Sequence, residues 1–401
     1  MKIRISSVKK MLEFLYLALL GFMAFSRMSQ YIIFNVLHLP FYLIEIFFIP
    51  LFLYSGNEYI TNLKKISSKR KFVIWCMVLT YDLIIGCAYT FQLIDTITMS
   101  RSLIYIIMIA LIFEEKKHFS IDKLFVISFF AMVGEFVFGI KYSSADIASI
   151  NTSCLALMVL IPIVMKKYLL FTICSIFGLV ISINSGYRIG IIILIIAILE
   201  GVVWTAVSQE KMTIKVILKK FSIPSILVLI ASFVVINYQE FIRITATLLG
   251  TSQYAIYRVT NRLVGLFTFN FTMSREQERF DVFKIAYESF GERILPRGLV
   301  GKSIGTLSTY FDVPITYMYD AFGSILTIFI LGVCIYKGMR CFLHSYKKGV
   351  ADYYIIAGLM FPILLLCMIS NGSFLYITFQ CITTGVIIGE WFAFNPHKKT
   401  Q

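Results

Sequence analysis

Long apolar runs recur along this 401-residue chain, and they constrain its fold more than any other feature. Hydrophobic residues make up 59% of the chain and charged residues 15%, so a water-soluble fold could not bury the apolar surface. About twelve runs approach the roughly 20 residues that a helix needs to cross a bilayer. The sequence therefore predicts an all-α polytopic membrane protein with about twelve transmembrane helices. The runs lie near 11 to 26, 31 to 54, 72 to 94, 102 to 113, 124 to 140, 150 to 165, 168 to 183, 189 to 207, 222 to 238, 314 to 336, 352 to 370 and 374 to 392.

Lysine predicts how these spans are oriented. Of the 24 lysines, 21 fall in connections on one side of the predicted bundle, and Lys141, Lys284 and Lys302 are the exceptions. Because short cytoplasmic connections are enriched in basic residues, this side is predicted to be cytoplasmic, with both termini on it. The basic residues ahead of the apolar run from Met11 to Phe25 are typical of an uncleaved signal anchor.

Three regions follow from the same pattern. Residues 1–238 would hold nine membrane helices, residues 239–313 one large helical loop outside the membrane, and residues 314–401 three helices and a cytoplasmic tail. The pair of runs at 150–165 and 168–183 is short, and one broken re-entrant hairpin is the alternative there. All eight cysteines fall in spans or on the cytoplasmic side, so no disulfide is expected in the outer loop.

Arginine has the opposite distribution, with ten of the 13 on the outer side. The charge rule for cytoplasmic connections does not explain these arginines. Recognition of phosphate or carboxylate explains them, because a guanidinium forms bidentate hydrogen bonds with these groups. Within the loop, helical periodicity predicts helices over 252–269 and 274–290. Each carries two arginines four residues apart, which places both on one face. Seven arginines lie in the loop: Arg243, Arg258, Arg262, Arg275, Arg279, Arg293 and Arg297.

A plainer interpretation is that these arginines form surface ion pairs. The loop's acidic residues reduce its net charge to +2. The exclusion of lysine nevertheless favours an anionic ligand, since a solvated helix face has no reason to prefer arginine. Nucleic acid is not expected, because the basic residues are dispersed and form no basic face. The acidic residues available for pairing include Glu276, Glu278, Asp281, Glu288 and Glu292.

Ionisable residues inside the predicted spans are a second set of candidates, because charge within a bilayer is costly. Arg188 opens a span on the outer side and would either extend the arginine cluster or reach the interface. Glu45 and Glu135 are expected to be satisfied by neighbouring helices. The other members of the set are Asp82, Asp320 and, near the second span, His38.

Several chemistries find no support in the sequence. The chain has no P-loop, no GxGxxG and no DxD pair, so nucleotides and metal-bound nucleotide sugars are not expected as donors. The outer loop has neither histidine nor cysteine, which argues against zinc and against a Ser-His or Cys-His nucleophile there. No cofactor and no metal are predicted, and an outer reaction would need a substrate that is already activated.

Two segments resemble a known family. The serine and arginine of SINSGYRIGIIILII (Ser182 to Ile196) and the distal segment from Arg279 to Leu331 are similar to the Wzy-type polymerases of bacterial capsule and O-antigen assembly. The hydropathy profile matches along the whole chain, and the motifs cover about 70 residues. In the distal segment, the positions similar to the family are Arg279, Gly298, Gly301, Gly305, Asp312 and Gly323.

The resemblance implies an enzyme of the bacterial cell membrane that needs no metal. It would transfer a growing glycan from undecaprenyl diphosphate to the next lipid-linked repeat unit, beside a flippase and a chain-length regulator. Arginines would stabilise the diphosphate, and Asp312, Glu278 or Asp281 would accept the proton of the attacking hydroxyl. The related O-antigen ligases use a histidine in the distal outer loop. This chain has Asp312 in the comparable region, so ligase activity is not expected. A lipid-linked oligosaccharide flippase is the alternative, and an acyltransferase ranks last because only His38 lies near the membrane.

Overall fold

The structure is a computed structural model, and it describes eight long helices and one short one. It covers residues 5–32, 36–38, 120–141, 150–184, 188–208, 314–370 and 378–394, together with isolated positions elsewhere. Within these residues there is no strand. The helices are α1 (Ile5–Ala24), α2 (Met28–Tyr31), α3 (Ile121–Lys141), α4 (Thr152–Val164), α5 (Tyr168–Asn184), α6 (Arg188–Ser208), α7 (Pro314–Ser345), α8 (Asp352–Ser370) and α9 (Thr378–Ala393).

The predicted membrane character is confirmed for part of the chain. Within the residues described, three helical segments are long and apolar enough to cross a bilayer: Ile189–Ser208, Gly323–Ser345 and Asp352–Ile369. Two shorter apolar helices accompany them, Thr152–Val164 and Tyr168–Ser182. The predicted span at 222–238 and most of those at 31–54, 72–94 and 102–113 lie outside the described residues.

Helix α4 is the centre of the bundle. All 13 of its residues are buried, because α3, α5, α6, α8 and α9 pack around it. It contributes to both hydrophobic clusters of the interior, one with α1, α3 and α5, the other with α6 to α9. A helix of this length spans about 20 Å, less than the roughly 30 Å of a bilayer's hydrocarbon core.

The short pair of predicted spans forms two separate helices. Helices α4 and α5 are antiparallel and joined by a tight turn at 165–167, in which Lys166 adopts a positive φ of 59°. The turn is closed by the Lys167 N–H, which donates to the Pro162 carbonyl at 2.8 Å. The alternative considered from the sequence, one broken re-entrant hairpin, is not excluded by this geometry and stays a prediction.

Contacts between helices fix their directions. Helices α1 and α3 run parallel, since Lys123 pairs with Glu13 at one end and Ser26 meets Gly134 towards the other. At Gly21 the two backbones come so close that an added Cβ would clash with the Ile127 carbonyl. Small residues allow such close approach where lipid gives no hydrophobic drive for association.

The bundle thus has two faces. The N-terminal face is the one at which α1 begins; α3, α5 and α8 also begin there, and α4, α6, α7 and α9 end there. The opposite face is the one at which α1 ends. The turns at the N-terminal face carry Lys166, Lys167, Lys347 and Lys348. The predicted separation of lysine onto one side therefore holds for the described helices.

Helix α7 extends beyond its predicted end and contains a break. The sequence placed a span at 314–336, and the helix continues to Ser345. Gly323 has φ 72° and ψ 167°, a conformation that is essentially restricted to glycine. The Thr327 hydroxyl donates to the Met318 carbonyl at 2.8 Å across this break. Residues 314–322 therefore form a separate helical segment ahead of the span.

Candidate functional site

A buried ion pair joins the end of α1 to α3. The Arg27 Nε donates to Glu135 Oε2 at 2.5 Å, and the Arg27 backbone N–H donates to Oε1 at 3.2 Å. Both side chains are almost fully enclosed, with 2% and 0% exposed. The guanidinium also lies over the Phe138 ring, 4.6 Å from its centroid. The prediction that a neighbouring helix satisfies Glu135 is thus confirmed.

Asn151 extends this pair into a network. It is the N-cap of α4, where its side-chain oxygen accepts from the Cys154 N–H at 3.0 Å. Its amide nitrogen donates to the Phe25 carbonyl at 3.0 Å and to the Thr383 hydroxyl at 3.1 Å. The Asn151 backbone N–H also donates to Glu135. One asparagine therefore connects α1, α3, α4 and α9.

The network lies inside the bundle, below the opposite face. Glu135 is six residues, or about 9 Å of helix, before the end of α3 at Lys141. The carboxylate receives donors from a guanidinium and from two backbone N–H groups, so the desolvated charge is compensated. The pair carries no net charge. This chemistry fixes three helices and the chain after α1 in one arrangement, and it suits positioning better than capture of an anion.

The structure describes two of the predicted site residues, and only in part. Arg188 is the first residue of α6, at the opposite face, as the sequence predicted. Asp281 is helical and exposed. The other predicted site residues lie outside the described residues: Arg243, Arg258, Arg262, Arg275, Arg279, Arg293, Arg297, Glu278 and Asp312.

Isolated positions of the outer loop agree with the predicted helices. Asp281, Lys284, Tyr287 and Glu288 are helical, within the helix predicted over 274–290. Lys284 pairs with Glu288 at 3.9 Å, four residues along the helix. Tyr287, in the same predicted helix, is 82% exposed. Glu288 thus pairs here with a lysine, whereas the plainer interpretation of the loop had assigned it to the arginines.

Four charged residues of the bundle escaped the sequence analysis. Arg27 was counted among the outer arginines and not singled out. Glu13, Glu200 and Glu390 lie within the predicted spans 11–26, 189–207 and 374–392 and were omitted from the ionisable set. The signal for Arg27 was present in the sequence, because an arginine at the end of an apolar run and a glutamate inside another can neutralise each other.

Glu200 belongs to a second polar contact, at the N-terminal face. Its carboxylate accepts from the Tyr346 hydroxyl at 2.8 Å, just beyond the end of α7. Burial and this carboxylate raise the pKa of Tyr346 well above its usual range. Nearby, Trp204 Nε1 donates to the Ser345 carbonyl at 2.9 Å. These bonds attach the end of α6 to the turn between α7 and α8.

Comparison with known proteins adds no relative to this description. No protein-family model, no curated protein and no solved structure matches the chain significantly.

Proposed function

We propose that the protein is a membrane-bound polymerase that joins lipid-linked oligosaccharide repeat units into a surface polysaccharide. The observation that carries the proposal is the separation of arginine from lysine. Seven arginines and two lysines lie in the loop at 239–313, whereas the described turns at the N-terminal face carry lysine. This distribution suits a diphosphate substrate that is handled at the opposite face of the bundle.

The arrangement of the helices supports this placement of the loop. Helix α6 begins with Arg188 at the opposite face, and α7 starts towards that face and follows directly on the loop. Three spans predicted within 31–113 and one at 222–238 would give α3 and α7 the directions that they have. The proposal therefore keeps about twelve spans, with the N-terminal face in the cytoplasm and the loop outside, in the bacterial cell membrane.

In the proposed reaction, arginines stabilise the charge that develops on the departing diphosphate. The set consists of Arg188 and the seven loop arginines, and a carboxylate from Asp312, Glu278 or Asp281 takes the proton of the attacking sugar hydroxyl. The oxygen of that hydroxyl bonds to the anomeric carbon as the bond from that carbon to the diphosphate breaks. The lipid diphosphate leaves with the electron pair, and no cofactor is required.

A lipid-linked oligosaccharide flippase is the second candidate. The omitted carboxylates favour it, because proton-coupled transporters carry ionisable groups inside the bundle and the described helices hold Glu135, Glu200 and Glu390. Against it, Glu135 is already bonded to Arg27 and Asn151, and the arginines are concentrated in a loop and not in a central cavity.

Deleting the gene in its host and profiling lipid-linked glycans by length and leaflet tests both candidates. A polymerase predicts single repeat units on the outer face and loss of long polymer. Units trapped on the cytoplasmic face would instead identify a flippase. Polymer of unchanged length would contradict both.

Substitution of arginine by lysine then tests whether arginines bind the diphosphate through bidentate hydrogen bonds. Replacing Arg258, Arg262, Arg279 or Arg293 one at a time by lysine keeps the charge and removes the two-pronged geometry. We expect polymer formation to fall by roughly 10² to 10³ at the critical positions. The matched control is Lys284→Arg, at an exposed position paired with Glu288, which should leave activity unchanged. Full activity in all four lysine variants would refute bidentate binding of the diphosphate by these arginines.

A further inference from the structure

A small crevice opens among α3, α4, α8 and α9 near the N-terminal face. Its walls include Ile121, Leu124, Leu157, Tyr353 and Val386, and among the residues that the structure describes Glu390 is the only charged one that lines it. The cavity volume is about 20 Å³, room for one water molecule. Glu390 therefore has its carboxyl group in a largely apolar wall, within one helical turn of the end of α9.

No cation of the described residues compensates this carboxyl group. Among the described residues, none forms an ion pair or a side-chain hydrogen bond with Glu390. The titratable groups within its electrostatic reach are Tyr353 and Tyr354 on α8 and Cys341 on α7, and all three are neutral in their ordinary state.

The nearest helices direct their cations elsewhere. Lys123 on α3 pairs with Glu13, and Lys337 on α7 lies over the Phe392 ring at 5.8 Å. His344 packs against Phe394, with the ring centroids 5.3 Å apart, and bonds to the Arg340 carbonyl. The residues of α3 and α4 that line the crevice are apolar.

We propose that Glu390 is a proton-binding site: a carboxylic acid that is neutral at physiological pH and exchanges its proton with solvent through the crevice. Glu390 is half-buried in this wall. An ionised carboxylate that is partly removed from water without a counter-charge is destabilised, and taking up a proton removes that cost. The crevice gives the proton a route to the N-terminal face. The site is independent of the proposed glycan chemistry, which lies at the other face.

Infrared difference spectroscopy of the full chain in lipid nanodiscs tests the proposal directly. We expect a carbonyl-stretch band of a protonated carboxylic acid at neutral pH, bleached as the pH is raised. Glu390→Gln should remove this band, and Glu288→Gln, at an exposed ion-paired position, should retain it. Absence of the band from the native chain, or its persistence in Glu390→Gln, would overturn the proposal.

A second measurement uses a hydrophobic carbodiimide, which reacts with protonated carboxyl groups. The acid's proton moves to a carbodiimide nitrogen and the carboxylate oxygen adds to the central carbon, so the O-acylisourea adduct keeps every atom of both reactants. Mass spectrometry of peptides should find the adduct on Glu390 and not on Glu135, whose carboxyl oxygens are enclosed and bonded by Arg27. Equal labelling of the two would contradict the assignment.

Glu390→Gln keeps the size and neutrality of the acid, so it is expected to fold with an unchanged thermal midpoint.

Discussion

Two glutamates of the same bundle meet burial in different ways. Glu135, near the opposite face, receives hydrogen bonds from the Arg27 guanidinium and from two backbone N–H groups. Glu390, half-buried near the N-terminal face, lines a crevice, and no cation of the described residues lies beside it. Glu135 is part of an ion pair that stabilises the fold, and Glu390 is proposed to be a neutral acid. Burial alone therefore does not distinguish a structural carboxylate from a titratable one; the donors around it do.

The largest expected effect comes from breaking the ion pair on its acidic side. Glu135→Leu leaves the Arg27 guanidinium buried without its carboxylate, and arginine cannot lose its charge. We expect a loss of about 3–5 kcal/mol in the free energy of unfolding. Thermal unfolding of the purified protein in detergent measures it.

The control for this variant exploits an asymmetry in the pair. In Arg27→Met, Glu135 can take up a proton, so the loss should be smaller than in Glu135→Leu. The double variant Arg27→Met/Glu135→Leu removes both charges and should recover much of the stability. Equal losses in the two single variants, with no recovery in the double, would mean that packing and not charge is responsible.

A smaller effect is expected from Asn151→Ala. This substitution removes the N-cap of α4 and the bonds to Phe25 and Thr383. Loss of a cap alone costs about 0.5–2 kcal/mol, and the orphaned buried partners bring the expected loss to the upper end of that range. Thermal unfolding provides the measurement. A loss of unfolding free energy as large as that of Glu135→Leu would mean that the Asn151 amide, and not the ion pair, contributes most of the network's stability.

Thr383→Val sharpens the comparison further. It removes the hydroxyl that bonds Asn151 and Cys154 and keeps the shape of the side chain. A single neutral hydrogen bond contributes about 0.5–1.5 kcal/mol, so stability should fall by that amount while the ion pair persists. A double-variant cycle with Asn151→Ala checks the coupling, and additive losses would show that the two residues act independently.

Glu390→Gln should have the smallest effect. If the acid is neutral, the amide replaces it with no change in charge, and the free energy of unfolding should stay within about 0.5 kcal/mol of the native value. The same conservative change at Glu135 is expected to be costly, because it cancels the charge that faces Arg27. A costly Glu390→Gln would indicate an ionised carboxylate with an unseen counter-charge.

The sequence predicts the helices well and their polar contacts poorly. The predicted span 352–370 coincides with α8, and Arg188 is the first residue of α6, because apolar length and local polar residues define both. The Arg27–Glu135 pair joins residues 108 positions apart, and no local pattern encodes that separation. Gly323 entered the sequence analysis only as a position similar to the family, and its positive φ was not predicted.

The predicted site stays a prediction at most of its positions. Helical periodicity in the outer loop is a local property, and the described positions from Asp281 to Glu288 agree with it. Which arginines meet is a tertiary question that periodicity does not address. Glu200 and Glu390 were omitted because a single carboxylate hardly changes the hydropathy of a long apolar run.

The short length of α4 has a consequence for biosynthesis. At 13 residues, with Asn151, Thr152 and Ser153 at its start, α4 is too short and too polar at one end to be a strong insertion signal by itself. The tight turn at 165–167 joins it to α5, and the two together present 13 and 17 helical residues, most of them apolar, to the translocon. We therefore expect α4 and α5 to enter the bilayer as one helical hairpin. Helix α4 would then contact lipid until α6, α8 and α9 are synthesised and pack around it.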